Sequence, residues 1–528
     1  MKFALLGFEG PVARAVGAEL EARGHRAVTE GAECAIYFPG DPDEFSNVAL
    51  RGGFSRLVLR SHAYAYGSST KNPGLMTEDR ISLLPAEAPE QRWLQMEELA
   101  AGHPNAASVR LTNVLAPEEG DLLVKLLAGR KGRALAGHDP NVQFIGVRDA
   151  ALALVAAAES QATGIFNAAG GGAIPLKKAF RAAGTKRAAR LLPFARMALG
   201  RSADQLQYNW TVSSERARRE LGWSPEQSTI EALGDFVRGK QGARLDLLQR
   251  PYDDWGLDVD YIRAWGWWFA FLRKVYWRVE HEGLENIPAE GRAMFVSNHR
   301  GFMPLDAVIH LSLIFTHRQR ICRFLIIHSL LKFPFLCNFL TKLGGVIASQ
   351  ENAERLFRDE SLVGIFPEGI RGSFTPYRKT YQLRDFCKSG FAKIAIENQS
   401  PIVPAAVIGH SEIFPIIGRI DSSYVTREFG WPYLPIAPMF PLAPIPIPSK
   451  WHVRVLPPVP LQGLKPADAE NPRLVKEFSR HVQRILQANI DDMVPRRKSI
   501  FWGRVLDGTA PAAPSFQWPL QQAAGEAS

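Results

Sequence analysis

From residue 1 to about 240, short β-branched runs alternate with Ala/Leu/Arg-rich stretches whose apolar positions recur every three or four residues. The pattern predicts strands at 1–7, 34–40, 56–61, 107–114 and 164–170, and helices over 11–24, 91–102, 120–129, 148–159 and 229–238. Such alternation predicts an α/β domain. Residues 236–250 read as an exit linker. A different pattern fills 255–279, WGLDVDYIRAWGWWFAFLRKVYWRV, where tryptophans and basic residues interleave. That mixture suits either a bilayer interface or an aromatic stripe packed on its own domain. A second α/β region follows, with strands at 293–298, 323–328, 344–349, 362–367 and 401–407 and helices near 304–315, 351–358 and 386–397. Residues 430–460 are apolar but too proline-broken for a helix. They suit a greasy groove, a membrane contact or a surface connection. The expected division is 1–242, a connecting segment 243–279, a second domain 280–495 and a largely disordered tail 496–528.

The 528-residue length calls for at least two domains. Four widely spaced cysteines form no CxxC pair, which argues against a disulfide framework or zinc ribbon and fits a reducing compartment. The N-terminus turns polar too soon for a signal peptide. No stretch offers the ~20 apolar residues of a membrane span, since 324–340 is interrupted by His328, Lys332 and Pro334. The expectation is a cytoplasmic protein, peripheral on the inner face of the membrane. A formal charge of +10 implies an anionic partner. With no zinc-finger spacing, RNP-like strand or compact basic run, nucleic acid is not expected; anionic lipid or a phosphorylated substrate is.

Gly7, Gly10 and Ala13 follow the first strand and open the first helix, where glycines let a pyrophosphate approach a helix N-terminus. Glu30, about 20 residues on, suits a ribose hydroxyl. With LVLRSHAYAYG, TEDRISLLP, VQFIGVRDAALAL, IFNAAGGGAIPL and ARRELGWSPEQSTIEAL downstream, residues 1–240 resemble an extended short-chain dehydrogenase/reductase of the NAD-dependent epimerase type. The resemblance implies a Rossmann-like parallel sheet, NAD(P) binding and a Tyr-x-x-x-Lys pair. That pair is absent: Trp93 and Glu97 stand in its slots, and His62 stands where the catalytic serine is expected. Too few residues separate 26–29 from the strand at 34 for the crossover that supports the adenosine half. The domain reads as degenerate, structural or regulatory, with NAD(P) binding open and an epimerase or reductase as the alternative function.

The second region holds FVSNHRGFMPLDAV at 295–308. His299 then lies just after a strand and Asp306 in the first turn of a helix that Pro304 opens. Two readings stand: a general base with its orienting carboxylate, or a surface histidine beside a carboxylate that favours the helix N-terminus. SLVGIFPEGIRG at 361–372 adds a turn and an arginine suited to a phosphate. These two stretches, with LGGVIASQENAERL at 343–356 and CKSGFAKIAIENQSPIVPAAV at 387–407, come in order and resemble the glycerolipid acyltransferases, of the lysophosphatidic acid acyltransferase type, over about 280–460.

The resemblance implies that His299 deprotonates a glycerol hydroxyl, that Asp306 holds it, and that Asn298, Gly301, Glu368, Gly369, Arg371 and Pro404 shape the acceptor site. The implied donor is acyl-CoA or acyl carrier protein, and the implied acceptor a lysophospholipid or related glycerolipid. No cofactor is required for the transfer. Lys388 is a further cation, or a solvated surface lysine. Two positions depart from the family: Pro304 stands where its aspartate usually does, and Gln350 replaces a phosphate-binding arginine, leaving room for a neutral or bulkier acceptor. Asp306 and His310 share a helix face without a third ligand, so no metal is expected. There is no Gly-x-Ser-x-Gly elbow. A non-catalytic lipid-binding scaffold is a third reading.

Overall fold

The central strands of the first region are buried at every position rather than at alternate ones, as befits a parallel sheet covered on both faces. In the computed structural model β1 (Lys2–Gly7), β2 (Arg26–Ala27), β3 (Cys34–Phe38), β4 (Arg56–His62), β5 (Ala106–Leu111) and β6 (Gly164–Ala168) form one parallel sheet in the order β6-β5-β4-β3-β1-β2. The structure describes residues 1–502 apart from 8, 29, 39–41, 52, 130, 250–251, 334, 387–388, 443–444 and 462. On one face, α1 (Pro11–Ala22) buries Val12, Val16 and Leu20 against alanines of a later helix, Val147–Glu159. On the other face, α2 (Gln91–Ala101) buries Trp93 and Met96 against Tyr37, Leu57 and Leu59. Strand order reverses at β1, the switch point at which such sheets bind ligands. Beyond β1, however, only the two-residue β2 follows among the described residues.

The chain divides into two units, Met1–Asp258 with Leu331–Lys342, and Val259–Leu330 with Leu343–Ser528. The aromatic stretch expected as a connection therefore belongs to the second unit from Val259 on, while Trp255 falls in the first. There it forms α3 (Val259–Phe271) and a π-helical turn, Leu272–Tyr276. The turn and the two residues after it hold the proline-rich stretch. Tyr276 Oη donates to Pro446 O at 2.6 Å, Trp277 Nε1 to Ile447 O at 3.2 Å and Arg278 Nη2 to Pro448 O at 2.9 Å.

The second unit is built on a seven-stranded sheet. Its strands are β7 (Glu280–Glu282), β8 (Ala293–Ser297), β9 (Cys322–Ile326), β10 (Val346–Ile347), β11 (Leu362–Ile365), β12 (Ile402–Ile408) and β13 (His452–Val455), in the order β7-β13-β12-β8-β11-β9-β10. Pairing is parallel except between β12 and β13. The expected strands and helices of this region are present with ends moved by a few residues; the helix expected at 386–397 begins only at Gly390. A 22-residue helix, α4 (Pro472–Met493), carries no expectation from the sequence reading above. It starts where such signals place a helix: the Asn471 side chain accepts from the Arg473 and Leu474 N–H groups, and Pro472 takes the first position. Most of the tail expected at 496–528, from residue 503, lies outside the described residues.

Candidate active site

The carboxyl ends of parallel strands, where helices then begin, are the usual seat of ligand sites in open α/β sheets. Here the ends of neighbouring strands β8 and β11 bring 298–306 and 366–371 together. Asn298 is buried and pins the end of β8 to β12: its Nδ2 donates to Val407 O at 3.0 Å and its Oδ1 accepts from Val407 N at 2.9 Å. Pro404, also in β12, is Val296's partner and lies in the sheet rather than at the surface of the site. The chain then turns at Gly301, whose φ of +71° favours glycine. It returns through α5 (Leu305–Arg318), which carries Asp306 in its first turn.

The turn closes the gap between histidine and aspartate. His299 Nδ1 lies 2.6 Å from Asp306 Oδ2; the aspartate side chain is fully buried and the imidazole is 16% exposed. Asp306 Oδ1 accepts from Ala307 N at 2.9 Å. A carboxylate at Nδ1 fixes the tautomer with its proton there, leaving Nε2 as the nitrogen able to take one. Phe366 stacks on the imidazole at 4.5 Å between centroids, 21° from parallel. One turn along α5, buried His310 shares a hydrogen bond with Ser297 Oγ at 3.1 Å. Burial pushes its pKa down to about 4 despite the nearby Asp306, so it is neutral at pH 7 and sets no positive charge against His299.

Beneath this pair lies an ion pair that the sequence reading missed. Arg300 and Glu368 are both at most 2% exposed and meet at 2.7 Å. Arg300 also donates to the carbonyls of His299 (2.6 Å), Thr380 (2.6 Å) and Gln382 (2.9 Å). Glu368 accepts from His299 N at 3.3 Å and Arg384 N at 2.7 Å. Glu368, expected to shape an acceptor phosphate site, is thus committed to the interior and holds the backbone of the histidine. An arginine directly after Asn-His was the available signal, since a buried carboxylate needs a cation.

A narrow pocket of about 90 Å³ opens beside His299, walled mainly by Phe302, Phe324, Phe366, Ile370, Phe374 and Trp431, with Gly369 and Pro304 in its lining. Arg371 sits on the short helix Gly369–Ser373 and is exposed. Gln350, exposed, donates to Glu354 at 2.8 Å and contributes no cation. Lys388 lies outside the described residues. Among the described residues no three His, Cys, Asp or Glu side chains are grouped to hold a metal.

In the first unit the residues expected to hold a dinucleotide have other occupations. Gly7 has φ +87°, and a Cβ there would meet Phe38 O at 2.0 Å, so the glycine serves strand packing. Ala13 lies on the buried face of α1 and Glu30 is exposed. At the N-terminus of α1, after Gly10, Val12 N donates to Glu119 Oε1 at 2.8 Å, and Glu119 Oε2 lies 3.5 Å from buried Arg60. The chain's own carboxylate stands where a helix N-terminus would meet a phosphate. His62 pairs with Asp121 at 3.2 Å and stacks on Trp93. Glu97 is tied to Arg110 and to Ser61 Oγ. The slots of the missing Tyr/Lys pair are filled by internal packing and an internal ion pair.

An acyltransferase family model matches residues 278–408, spanning both strand-end loops. An uncharacterized protein of Mycobacterium leprae is 30% identical over 304 residues, 56% of this chain and 79% of the other. One of Mycobacterium tuberculosis is 33% identical over 292 residues, 53% and 80%. Residues 278–408 are an acyltransferase domain. A human DGAT1/2-independent enzyme synthesizing storage lipids is 30% identical to this acyltransferase over 165 residues, 30% of this chain and 48% of the other. Among solved structures, a UDP-N-acetylglucosamine 4-epimerase from Bacillus cereus aligns with 46% of the chain and 100% of its own at 15% identity and TM-score 0.34. A human epimerase family protein with NADPH aligns with 45% and 100% at 16% identity and TM-score 0.39. No helix among the described residues is long and apolar enough to cross a membrane.

Proposed function

We propose that this acyltransferase moves a fatty acyl group from the thioester of coenzyme A or an acyl carrier protein to a hydroxyl of a lysophospholipid or related glycerolipid, the 1-acylglycerol-3-phosphate type included. The observation that carries the reading is the 2.6 Å His299–Asp306 contact at the mouth of an aromatic pocket. His299 Nε2 takes the hydroxyl proton as the oxygen attacks the thioester carbonyl. The tetrahedral intermediate collapses with loss of the thiolate, which receives that proton from the imidazolium. The C–S bond breaks, the new ester C–O bond forms, and Asp306 stabilises the transient positive charge. The apolar walls suit a fatty chain, and the transfer requires no nicotinamide.

Arg371, exposed on the short helix beside the pocket, is a cation that an acceptor phosphate would meet. Gln350 in place of a second cation, together with a relative named for storage lipids, makes a neutral glycerolipid acceptor the main rival. A peripheral membrane position is supported by the exposed side chains of the second unit. Trp267 (70% exposed), Phe271 (37%) and Val275 (59%) follow one another at four-residue steps, beside basic Arg263 and Lys274.

The test is thiol release from long-chain acyl-CoA and from acyl carrier protein, with lysophosphatidate, other lysophospholipids, monoacylglycerol, diacylglycerol or no acceptor. Acceptor-dependent release should fall ~10²–10⁴-fold in His299→Ala. Undiminished release in that variant would remove the mechanism. Arg371→Ala should raise KM for a phosphate-bearing acceptor and leave a neutral one unchanged.

A further inference from the structure

Helix α4 turns one face into the core through Val475, Phe478, Val482, Ile485 and Leu486. The opposite face carries Arg473, Lys476, Arg480 and Arg484, all exposed. Their spacing of i, i+3, i+7 and i+11 keeps them in one row, about 16 Å long at 1.5 Å per residue. The helix's own ion pairs are made elsewhere, by Asp492 with Arg454 and Arg496. None of the four cations is paired with a carboxylate among the described residues, and Glu477 is the acidic side chain beside them.

The row continues into Gln483 and Gln487, which grip the loop around residues 381–384. Gln487 Oε1 accepts from Leu383 N at 2.8 Å, Gln487 Nε2 donates to Tyr381 O at 3.0 Å and Gln483 Nε2 to Arg384 O at 3.3 Å. From within, the same loop is held by Arg300, through Thr380 O and Gln382 O, and by Glu368, through Arg384 N. Glu368 also holds the His299 N–H. One loop therefore separates the cationic row from the group that positions the base.

We propose that this row is the docking surface for the acyl donor's carrier, a small acidic acyl carrier protein. The proposal rests on the acyl-transfer reading above and selects between its two donors. Evenly spaced cations along a helix complement a row of carboxylates on a partner helix, whereas the clustered phosphates of coenzyme A call for cations that converge. A bilayer is the poorer match: none of the large apolar side chains exposed among the described residues lies on α4, and interfacial helices pair cations with buried apolar groups. Once docked, the carrier presents its thioester on a flexible pantetheine arm toward His299.

The experiment uses the full chain, a fluorescently labelled holo-acyl carrier protein and the double variant Arg480→Glu/Arg484→Glu, with Arg480→Gln/Arg484→Gln as the milder pair. Equal thermal unfolding of the variants and the parent checks the fold. Anisotropy should show carrier binding that weakens with salt and drops on the order of tenfold or more on charge reversal, less on neutralisation. Turnover should follow: KM for a palmitoyl-loaded carrier rises on the order of tenfold, with kcat and the kinetics with palmitoyl-CoA unchanged. Absence of carrier binding, binding indifferent to the variants, or turnover with palmitoyl-CoA alone would each overturn the proposal. So would variants that lose phosphatidylglycerol vesicles and keep the carrier. Stripe-dependent carrier binding with no turnover from either donor would count against acyl transfer and leave the docking surface standing.

Discussion

His299 and Asp306 stand seven residues apart and touch because Gly301 turns the chain and Pro304 starts a helix between them. Asp306→Asn should keep the packing but offer an amide N–H to Nδ1, favouring the tautomer with its proton on Nε2. Turnover should then drop by up to ~10⁴-fold with KM little changed, read by steady-state kinetics. Under them, Glu368→Ala strands the Arg300 guanidinium in the interior. A loss of about 3–5 kcal/mol in urea unfolding is expected, where an acceptor-contacting glutamate would lose binding and little stability. His310 gives a pH signature. Its folded pKa of about 4 lies below the ordinary histidine value of 6.5, so between those values the unfolded chain binds the extra proton and stability rises with pH. Acidification from pH 7 to about 4 should remove about 3 kcal/mol through this group. His410, also lowered by burial, acts in the same direction. In His310→Gln the urea midpoint should depend less steeply on pH over that range.

At the scale of elements, α3 and the π-helical turn after it separate a buried side, with Ile262, Phe269 and Leu272, from an exposed one of Trp267, Phe271 and Val275. Trp267→Ala/Phe271→Ala should weaken sedimentation with anionic vesicles severalfold and leave thermal unfolding unchanged, since exposed side chains contribute little to the fold. An unchanged vesicle partition would return the ridge to the status of a bare surface. The interleaved aromatics were legible in the sequence, but which of them face solvent was not. Trp277 is wholly buried and stacks on Trp451 at 4.9 Å, while Trp267 lies outside. Composition does not separate them. Helix α4 is legible in the sequence from Asn471-Pro472 and the spacing of its apolar positions, Val475, Phe478, Val482 and Ile485.

At the scale of the whole chain, a parallel sheet and a mostly parallel one each end in loops at the carboxyl side of their strands, and the two sets of loops differ in what they hold. In the second unit the loops hold the His299–Asp306 pair and an aromatic pocket. In the first, Glu119 fills the N-terminus of α1 and Arg60 answers its charge. Addition of NAD, NADH or NADPH should therefore leave the thermal midpoint unmoved. A ligand present at 100 times its Kd would add about 2.7 kcal/mol and a clear shift, and such a shift would show that Glu119 yields. The sequence by itself determined the α/β class of both regions, because alternating strand and helix periods leave few other packings. It also determined the ordered acyltransferase motifs and the loss of the Tyr-x-x-x-Lys pair, since these are matters of residue type and spacing. Only the tertiary structure decided that Glu368 belongs to Arg300 and Glu119 to the helix N-terminus. These partners lie 68 and 107 residues apart, and burial, which makes such charges seek each other, is a property of the folded chain.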